Sequence, residues 1–281
     1  MPDHRTIDAT TRSMLIPGGA DVELYVEETG NPTGRPVLFI HGISQCGLAW
    51  SRQLHSELGG HLRLVSMDLR GHGRSERPSD GYDDPMLWAD DIHAVITELE
   101  LDQPILCGWS YAGVVIGDYL QAYGEHLIGG LSLIAAVSGL GETLLPHLGS
   151  DFVATFPGLF SDDVATSSAA LQTFVRITTE AEMMPADLYR VLGYNGIVAP
   201  GARRQMMNRT LSHDALLGRL TTPVLITHGL ADKIVLPAMS EHLTRLMPHA
   251  KASYYRGIGH SPFIEDTARF NAELVAFASS L

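Results

Sequence analysis

Short apolar runs rich in β-branched residues recur along this chain, and they are separated by stretches whose apolar residues follow a helical spacing. The runs that predict strands are 21–28 (DVELYVEE), 36–40 (PVLFI), 62–68 (LRLVSMD), 104–108 (PILCG), 131–136 (LSLIAA), 223–229 (PVLITHG) and 252–256 (ASYYR). Strands that alternate with helices are typical of a mostly parallel sheet covered by helices on both faces. The pattern therefore predicts an α/β fold.

The helices of this alternation can be placed from the same pattern. In 84–100, apolar residues recur at spacings of three to five, Asp84 suits the N-cap and Pro85 suits the first turn. The run that follows Ser110 is apolar over most of its first three turns, which predicts a helix buried against the sheet. A third helix is predicted near the C-terminus, where DTARFNAELVAFASSL has an apolar stripe.

One region of about eighty residues breaks the alternation. Between 137 and 215 the pattern contains no convincing strand, and Met, Gly, Pro and aromatic residues cluster there. A long insertion of helical pattern with flexible apolar side chains, placed between two sheet strands, indicates a cap over a site. We therefore expect a core domain formed by 1–136 and 216–281 and a helical cap formed by 137–215. An ordinary helical extension of the core is the alternative.

Composition and charge narrow the class of protein. The 281 residues are 45% hydrophobic, and 19 Lys and Arg against 32 Asp and Glu give a formal net charge of −13. This balance repels nucleic acid and anionic membrane surfaces, so neither is expected as a partner. The N-terminal MPDHRTIDATTRSML lacks the apolar core of a signal peptide, and no apolar run is long enough to span a bilayer. A cytoplasmic protein is expected, and the sequence sets no oligomeric state. Of the two cysteines, Cys107 is expected in the core.

The stretch CGWSYAG at 107–113 places Ser110 between a predicted strand and a predicted helix. A serine at such a turn is held in a strained backbone conformation that lifts its hydroxyl above the sheet. The turn requires small residues two positions before and two positions after the serine, and Ala112 meets that steric demand where the usual motif has glycine. Ser110 is therefore a candidate nucleophile.

A serine nucleophile needs a base and an acid that orients the base, and both are available later in the chain. His260 lies in YRGIGHSPFIED, a loop after the last predicted strand, and Asp232 lies in LITHGLADKIV, just after the strand before it. The order serine, acid, histidine is that of hydrolases with this strand–turn–helix motif. Asp68 and Glu265 are alternative acids, but Asp68 is expected to hold a turn and Glu265 to face outward.

Acyl transfer also needs donors for the oxyanion. The amide of Tyr111, the residue after the candidate nucleophile, lies at a helix N-terminus. A second amide is expected from Ile43 in FIHGISQCG, where Gly42 lets the backbone approach closely. His41 in the same loop is expected to hold the loop in place.

Candidates for a substrate pocket are Trp109, Met183 and Met207, although each could equally belong to the core. The thirteen histidines show no H-E-x-x-H spacing, there is no C-x-x-C, and RGHGRS lacks the remaining residues of a phosphate loop. No metal and no nucleotide cofactor is therefore expected.

The segments HGISQCGLAW, DLRGHGRSERP, GWSYAG, HGLADKIV and GIGHSPFIE resemble, in order and spacing, the α/β-hydrolase superfamily, over about residues 20–280. GWSYAG followed by VVIGDYL is most similar to the branch of carboxylesterases and cofactor-free haloperoxidase-like perhydrolases. The resemblance implies an eight-stranded, mostly parallel sheet with a helical cap after strand 6. It also implies Ser110 as nucleophile, His260 as base, Asp232 as its orienting acid, and Ile43 and Tyr111 as oxyanion donors.

The expected function is that of a serine hydrolase that cleaves a small carboxylic ester or lactone through an acyl-enzyme, without a cofactor. A perhydrolase or a carbon–carbon bond hydrolase would use the same triad. Ile43 stands where perhydrolase-like members often have a bulky aromatic residue, which favours ester hydrolysis over peroxyacid chemistry. A receptor of the same fold that binds a ligand without turnover is an alternative from a different class.

Overall fold

The computed structural model describes residues 11–281. The first ten residues of the N-terminal segment MPDHRTIDATTRSML, which lacks the pattern of a signal peptide, lie outside this range. Within it, the strands are β1 (Arg12–Pro17), β2 (Glu23–Gly30), β3 (Arg35–Ile40), β4 (Leu62–Met67), β5 (Ile105–Trp109), β6 (Gly130–Ile134), β7 (Gly139–Leu140), β8 (Leu211–Ser212), β9 (Val224–Gly229) and β10 (Lys251–Tyr255). The helices are α1 (Ser51–Leu54), α2 (Pro85–Glu98), α3 (Ala112–Tyr123), α4 (Ser150–Val153), α5 (Phe156–Leu159), α6 (Val164–Arg176), α7 (Pro185–Ile197), α8 (Pro200–Met207), α9 (Asp214–Leu217), α10 (Ala238–Leu246), α11 (Pro262–Glu265) and α12 (Thr267–Ala278). Short 3-10 turns cover Gly19–Asp21, Gly47–Trp50, Glu57–Gly60, Gly141–Thr143 and Leu145–His147.

Eight of the strands form one sheet in the order β1-β2-β4-β3-β5-β6-β9-β10. The pairs β1–β2 and β2–β4 are antiparallel, and the five other neighbouring pairs are parallel. The predicted eight-stranded, mostly parallel sheet is confirmed. The edge strand β1 is the member that the apolar pattern did not single out, because its side chains are mostly exposed.

The sheet separates two apolar cores, and alternate residues of a central strand point to opposite sides. In β5, Leu106 joins the core under α2 and α3, whereas Ile105 and Cys107 join the core under α12. Cys107 is therefore a core residue, as expected. Asp84 caps α2 by accepting a hydrogen bond from the Met86 amide, at the position that the sequence predicted.

The chain between β6 and β9 is helical, except for the two-residue strands β7 and β8, which pair with each other in register Gly139–Ser212 and Leu140–Leu211. This pair was not predicted, because two residues are too few to produce an alternating pattern. It brings the two ends of the inserted segment together. None of the helices in residues 11–281 is long and apolar enough to cross a membrane.

Candidate functional site

Ser110 lies at the turn between β5 and α3 and has a left-handed backbone, with φ of +59°. Its amide donates to Ile134 O at 2.9 Å, and its carbonyl accepts from the amides of Gly113 at 3.0 Å and Val137 at 3.2 Å. A left-handed conformation costs free energy in a residue with a Cβ, so it persists only where neighbouring structure fixes it. The β6 end and the first turn of α3 therefore fix this serine, whose exposed fraction is 8%.

The residues around Ser110 show where this turn needs glycine. A Cβ on Gly108 would lie 2.4 Å from Ile116 Cδ1, and a Cβ on Gly113 would lie 2.4 Å from Val137 O. Ala112 is fully buried, and its Cβ would be 3.2 Å from a Cβ at Gly108. The close approaches thus fall at positions 108 and 113, which are glycine, and Ala112 fits between them.

His260 and Asp232 form a buried pair. The His260 Nδ1 donates to Asp232 Oδ2 at 2.7 Å, and the two side chains are 2% and 0% exposed. A proton on Nδ1 leaves the lone pair of Nε2 free to accept one. Trp109, directly before Ser110, donates from Nε1 to His260 O at 2.9 Å, and the two rings lie 5.4 Å apart. This contact fixes the histidine loop next to the turn that carries the serine.

The Asp232 carboxylate has four donors in total. Oδ1 accepts from the amides of Ile234 at 2.8 Å and Val235 at 3.1 Å, and Oδ2 also lies 3.1 Å from His228 Nε2. Burial raises the pKa of Asp232, but the charge of His260 and the hydrogen bonds from His228 and His260 outweigh it and lower the pKa to about 2. Asp232 is therefore ionised at neutral pH.

His228 is a residue of this site that sequence reasoning missed. Its Nε2 faces two acceptors, Asp232 Oδ2 and Val235 O at 2.9 Å, so this nitrogen carries the proton. Its Nδ1 then accepts from the Ser240 hydroxyl at 2.5 Å. The only signal was a histidine at the end of a strand, four residues before the candidate acid. His228 therefore donates to the same Asp232 oxygen, Oδ2, as the candidate base does.

Two backbone amides flank Ser110. Among residues 11–281, neither the Ile43 amide nor the Tyr111 amide donates a hydrogen bond to the backbone or to a side chain. A Cβ on Gly42 would lie 3.1 Å from Ser110 Cβ and 3.3 Å from Trp109 O, so the Ile43 loop approaches the serine closely because residue 42 is glycine. Two free donors, a fixed serine and an acid-oriented imidazole are the groups that acyl transfer requires.

His41 holds this loop, as the sequence predicted. Its Nδ1 donates to Gly42 O at 2.8 Å and its Nε2 accepts from the Leu69 amide at 3.0 Å, which uses both ring nitrogens. Burial, followed by the charge of His72, lowers the pKa of His41 well below its usual range. His41 is therefore neutral and structural.

The two alternative acids have different surroundings. Asp68 accepts from the amides of Gly47 at 2.6 Å and Arg74 at 2.7 Å, and thus holds a turn as expected. The expectation that Glu265 faces outward is wrong. Its carboxylate accepts from the amides of Gly259 at 2.9 Å and Glu180 at 2.7 Å, because the inserted segment passes directly over the histidine loop.

The three pocket candidates are placed differently. Trp109 is 2% exposed and packs against Trp50 and Phe263 in the core under α12, so it belongs to the core beneath the turn. Met183 lines a cavity of about 200 Å³ between the inserted segment and α11. Met207 is half-buried against the core under α2 and α3. Within the described range, no cluster of three or more His, Cys, Asp or Glu side chains could hold a metal ion.

Comparison with known proteins gives a consistent result. A sequence model of the alpha/beta hydrolase family matches residues 37–273. The esterase RhEst1 from Rhodococcus sp. ECU1013 is 35% identical and superposes with a TM-score of 0.90, over 96% of this chain and 99% of that chain. A non-heme haloperoxidase from Rhodococcus erythropolis is 26% identical over 92% of this chain and 96% of its own length. A 2-hydroxy-6-oxo-2,4-heptadienoate hydrolase from Pseudomonas putida is 24% identical over 94% of this chain and 95% of its own length.

Proposed function

Because this chain belongs to the alpha/beta hydrolase family and is an enzyme of that class, we propose that it is a serine hydrolase that cleaves a small carboxylic ester or lactone. The observation that carries the proposal is the buried Asp232–His260 pair, bonded through Trp109 to the turn that holds Ser110 in a left-handed conformation. The 35% identity to an esterase over nearly the whole chain supports the choice of an ester.

In the proposed mechanism, Ser110 Oγ attacks the substrate carbonyl carbon while His260 Nε2 takes the hydroxyl proton. The carbonyl oxygen becomes an oxyanion and accepts hydrogen bonds from the Ile43 and Tyr111 amides. Asp232 stabilises the imidazolium, which then protonates the departing alcohol oxygen as the carbon–oxygen bond breaks. Water attacks the acyl-enzyme by the same route, and the acid product leaves with Ser110 restored.

We also propose that the segment 137–215 is a cap over this site. It contacts both of the loops that carry the candidate acid and the candidate base. Leu148 pairs with Val235 just after Asp232, and Ser261, which follows His260, donates from Oγ to Thr178 O at 2.8 Å. A segment bonded to the acid loop and to the histidine loop is well placed to limit which substrates reach Ser110.

The direct test is Ser110→Ala with a short p-nitrophenyl ester. We expect kcat/KM to fall by a factor on the order of 10³ or more, because the residual rate of such variants comes only from binding and the oxyanion donors. Retention of near-full activity would contradict the proposal. The matched control is Ser132→Ala, which removes a fully buried serine hydroxyl from β6 and leaves the site intact.

A haloperoxidase-type reaction on the same triad is a second candidate, supported by the non-heme haloperoxidase relative that this chain matches over 92% of its length. Acetate, hydrogen peroxide and bromide with a halogenation readout distinguish the two. Halogenation that is faster than ester hydrolysis in the wild type, and that is lost in Ser110→Ala, would favour this second candidate.

A further inference from the structure

Arg203 is a buried cation that the proposed mechanism does not use. It lies in α8 and is 2% exposed. Its Nε donates to Ser44 Oγ at 2.9 Å, its Nη1 to Leu159 O at 3.1 Å and its Nη2 to Asn195 O at 2.7 Å. All three acceptors are neutral, and within residues 11–281 no carboxylate forms an ion pair with this guanidinium. The fold thus keeps a buried positive charge without a counter-ion.

Such a charge is unusual, because burying an ion without an opposite charge is strongly unfavourable. Burial lowers the pKa of Arg203 to about 10, so the guanidinium is still protonated at neutral pH. A nonpolar side chain of similar length would fill the same space without this cost. The position of Arg203 therefore calls for an explanation beyond packing.

The side chain that Arg203 holds belongs to the loop of the candidate oxyanion donor. Ser44 directly follows Ile43 and has a left-handed backbone with φ of +62°. Its amide donates to His72 Nε2 at 3.1 Å, and its hydroxyl accepts from Arg203. The strained residue next to the donor is thus fixed on one side by the core and on the other by α8.

The same helix also contacts the second candidate donor. The Tyr111 hydroxyl donates to Met206 O at 3.4 Å, three residues after Arg203 in α8. The helix α8 of the inserted segment therefore contacts the side chain of Ser44, which follows Ile43, and the side chain of Tyr111.

We propose that Arg203 is a positioning residue for the oxyanion site: it fixes Ser44, and through Ser44 it fixes the Ile43 amide. The inference rests on the proposed function, in which the Ile43 amide binds that oxyanion. Misplacing or removing one such donor costs about 10²-fold to 10³-fold in kcat. Arg203 acts through Ser44, so a smaller loss, of about 30-fold to 100-fold, is expected when it is removed.

The test compares four variants with the wild-type enzyme. Arg203→Met removes both the charge and the hydrogen-bond donors of the guanidinium, and Arg203→Lys keeps the charge. Ser44→Ala removes the hydrogen bond between Arg203 and Ser44 but leaves the other two hydrogen bonds of Arg203. Arg204→Met is the matched control, since the next residue of α8 is exposed and bonds only to Phe160 O and Asp162. The measurements are kcat and KM for p-nitrophenyl acetate, the Ki of an alkylboronic acid that forms a tetrahedral anion on serine, and Tm.

We expect Arg203→Met to lower kcat by about 30-fold to 100-fold with KM changed less than threefold, and to weaken boronate binding by a similar factor. Ser44→Ala should lose about tenfold, Arg203→Lys should recover part of the loss, and Arg204→Met should match the wild type. A purely structural role would lower Tm without weakening boronate binding selectively.

Arg203→Met with kcat and boronate Ki equal to those of Arg204→Met would overturn the inference. If Arg203→Met does not fold, Ser44→Ala decides, and an unchanged kcat in that variant overturns it as well. A wild-type enzyme without Ser110-dependent turnover would instead overturn the proposed function, so the two failures can be told apart.

Discussion

Asp232→Asn changes one atom of the candidate triad and has a defined consequence for its protons. Asp232 Oδ1 accepts from the amides of Ile234 and Val235, so the asparagine must keep its oxygen there. Its NH₂ group then faces His260 Nδ1 and His228 Nε2, which both donate to the carboxylate in the wild type. To accept from the amide, His260 must move its proton to Nε2. In that tautomer Nε2 cannot accept the proton of Ser110.

A wrong tautomer of this kind costs about 10⁴-fold in kcat in serine hydrolases, which corresponds to about 5.5 kcal/mol. We expect a loss of this order in kcat/KM for p-nitrophenyl acetate, with KM nearly unchanged. The matched control is Asp214→Asn, since Asp214 Oδ2 lies 2.7 Å from His242 Nε2 in a separate, half-exposed pair. A loss below tenfold in Asp232→Asn, or an equal loss in the control, would refute the assignment of Asp232.

Three further results are expected. Gly113→Ala should lower the free energy of unfolding by about 1–3 kcal/mol, because its Cβ would lie 2.4 Å from a backbone carbonyl oxygen. Ala112→Gly should lower it by only about 1 kcal/mol. Denaturant titration measures both losses, and equal losses would contradict the steric explanation of this turn. Trp109→Phe removes the donor to His260 O, so kcat should fall about tenfold at unchanged KM, and an unchanged kcat would show that the contact does not position the imidazole. The pKa of Asp232 is about 2 in the folded protein, against an ordinary value of 3.8. The ionised carboxylate therefore contributes about 2 kcal/mol of stability above pH 4, and this contribution is lost as the pH falls towards 2. Tm measured over this pH range should fall less steeply in Asp232→Asn than in the wild type.

The fold class could be predicted from the sequence because its signals are local. Strand runs such as 36–40 and 104–108 are continuous and apolar, since both faces of a parallel strand are buried. The nucleophile turn could be predicted as well, because steric crowding restricts the positions near Ser110 that are occupied by Gly108, Ala112 and Gly113 to small residues. Strand β1 was missed because an exposed edge strand lacks that apolar run.

The contacts that support the candidate site were not predictable, because they join residues far apart in the chain. Glu265 is surrounded by amides of the inserted segment 85 residues earlier, and Arg203 contacts a serine 159 residues earlier. His228 was hidden within a strand run, where a buried histidine has the same pattern as any core residue. Local periodicity carries no information on such pairings. The roles of Ser110, His260, Asp232, Ile43 and Tyr111 stay predictions.

The acyl-enzyme intermediate of the proposed mechanism can be observed as an acyl group on Ser110. The enzyme is mixed with excess p-nitrophenyl acetate, quenched in acid within milliseconds to seconds, digested and analysed by mass spectrometry. We expect a burst of p-nitrophenol of up to one equivalent per chain, matched by acetylation of the peptide that contains Ser110, and we expect neither in Ser110→Ala. Steady turnover without acetyl on Ser110, or with the acetyl group on another residue at a competent rate, would contradict the proposed mechanism.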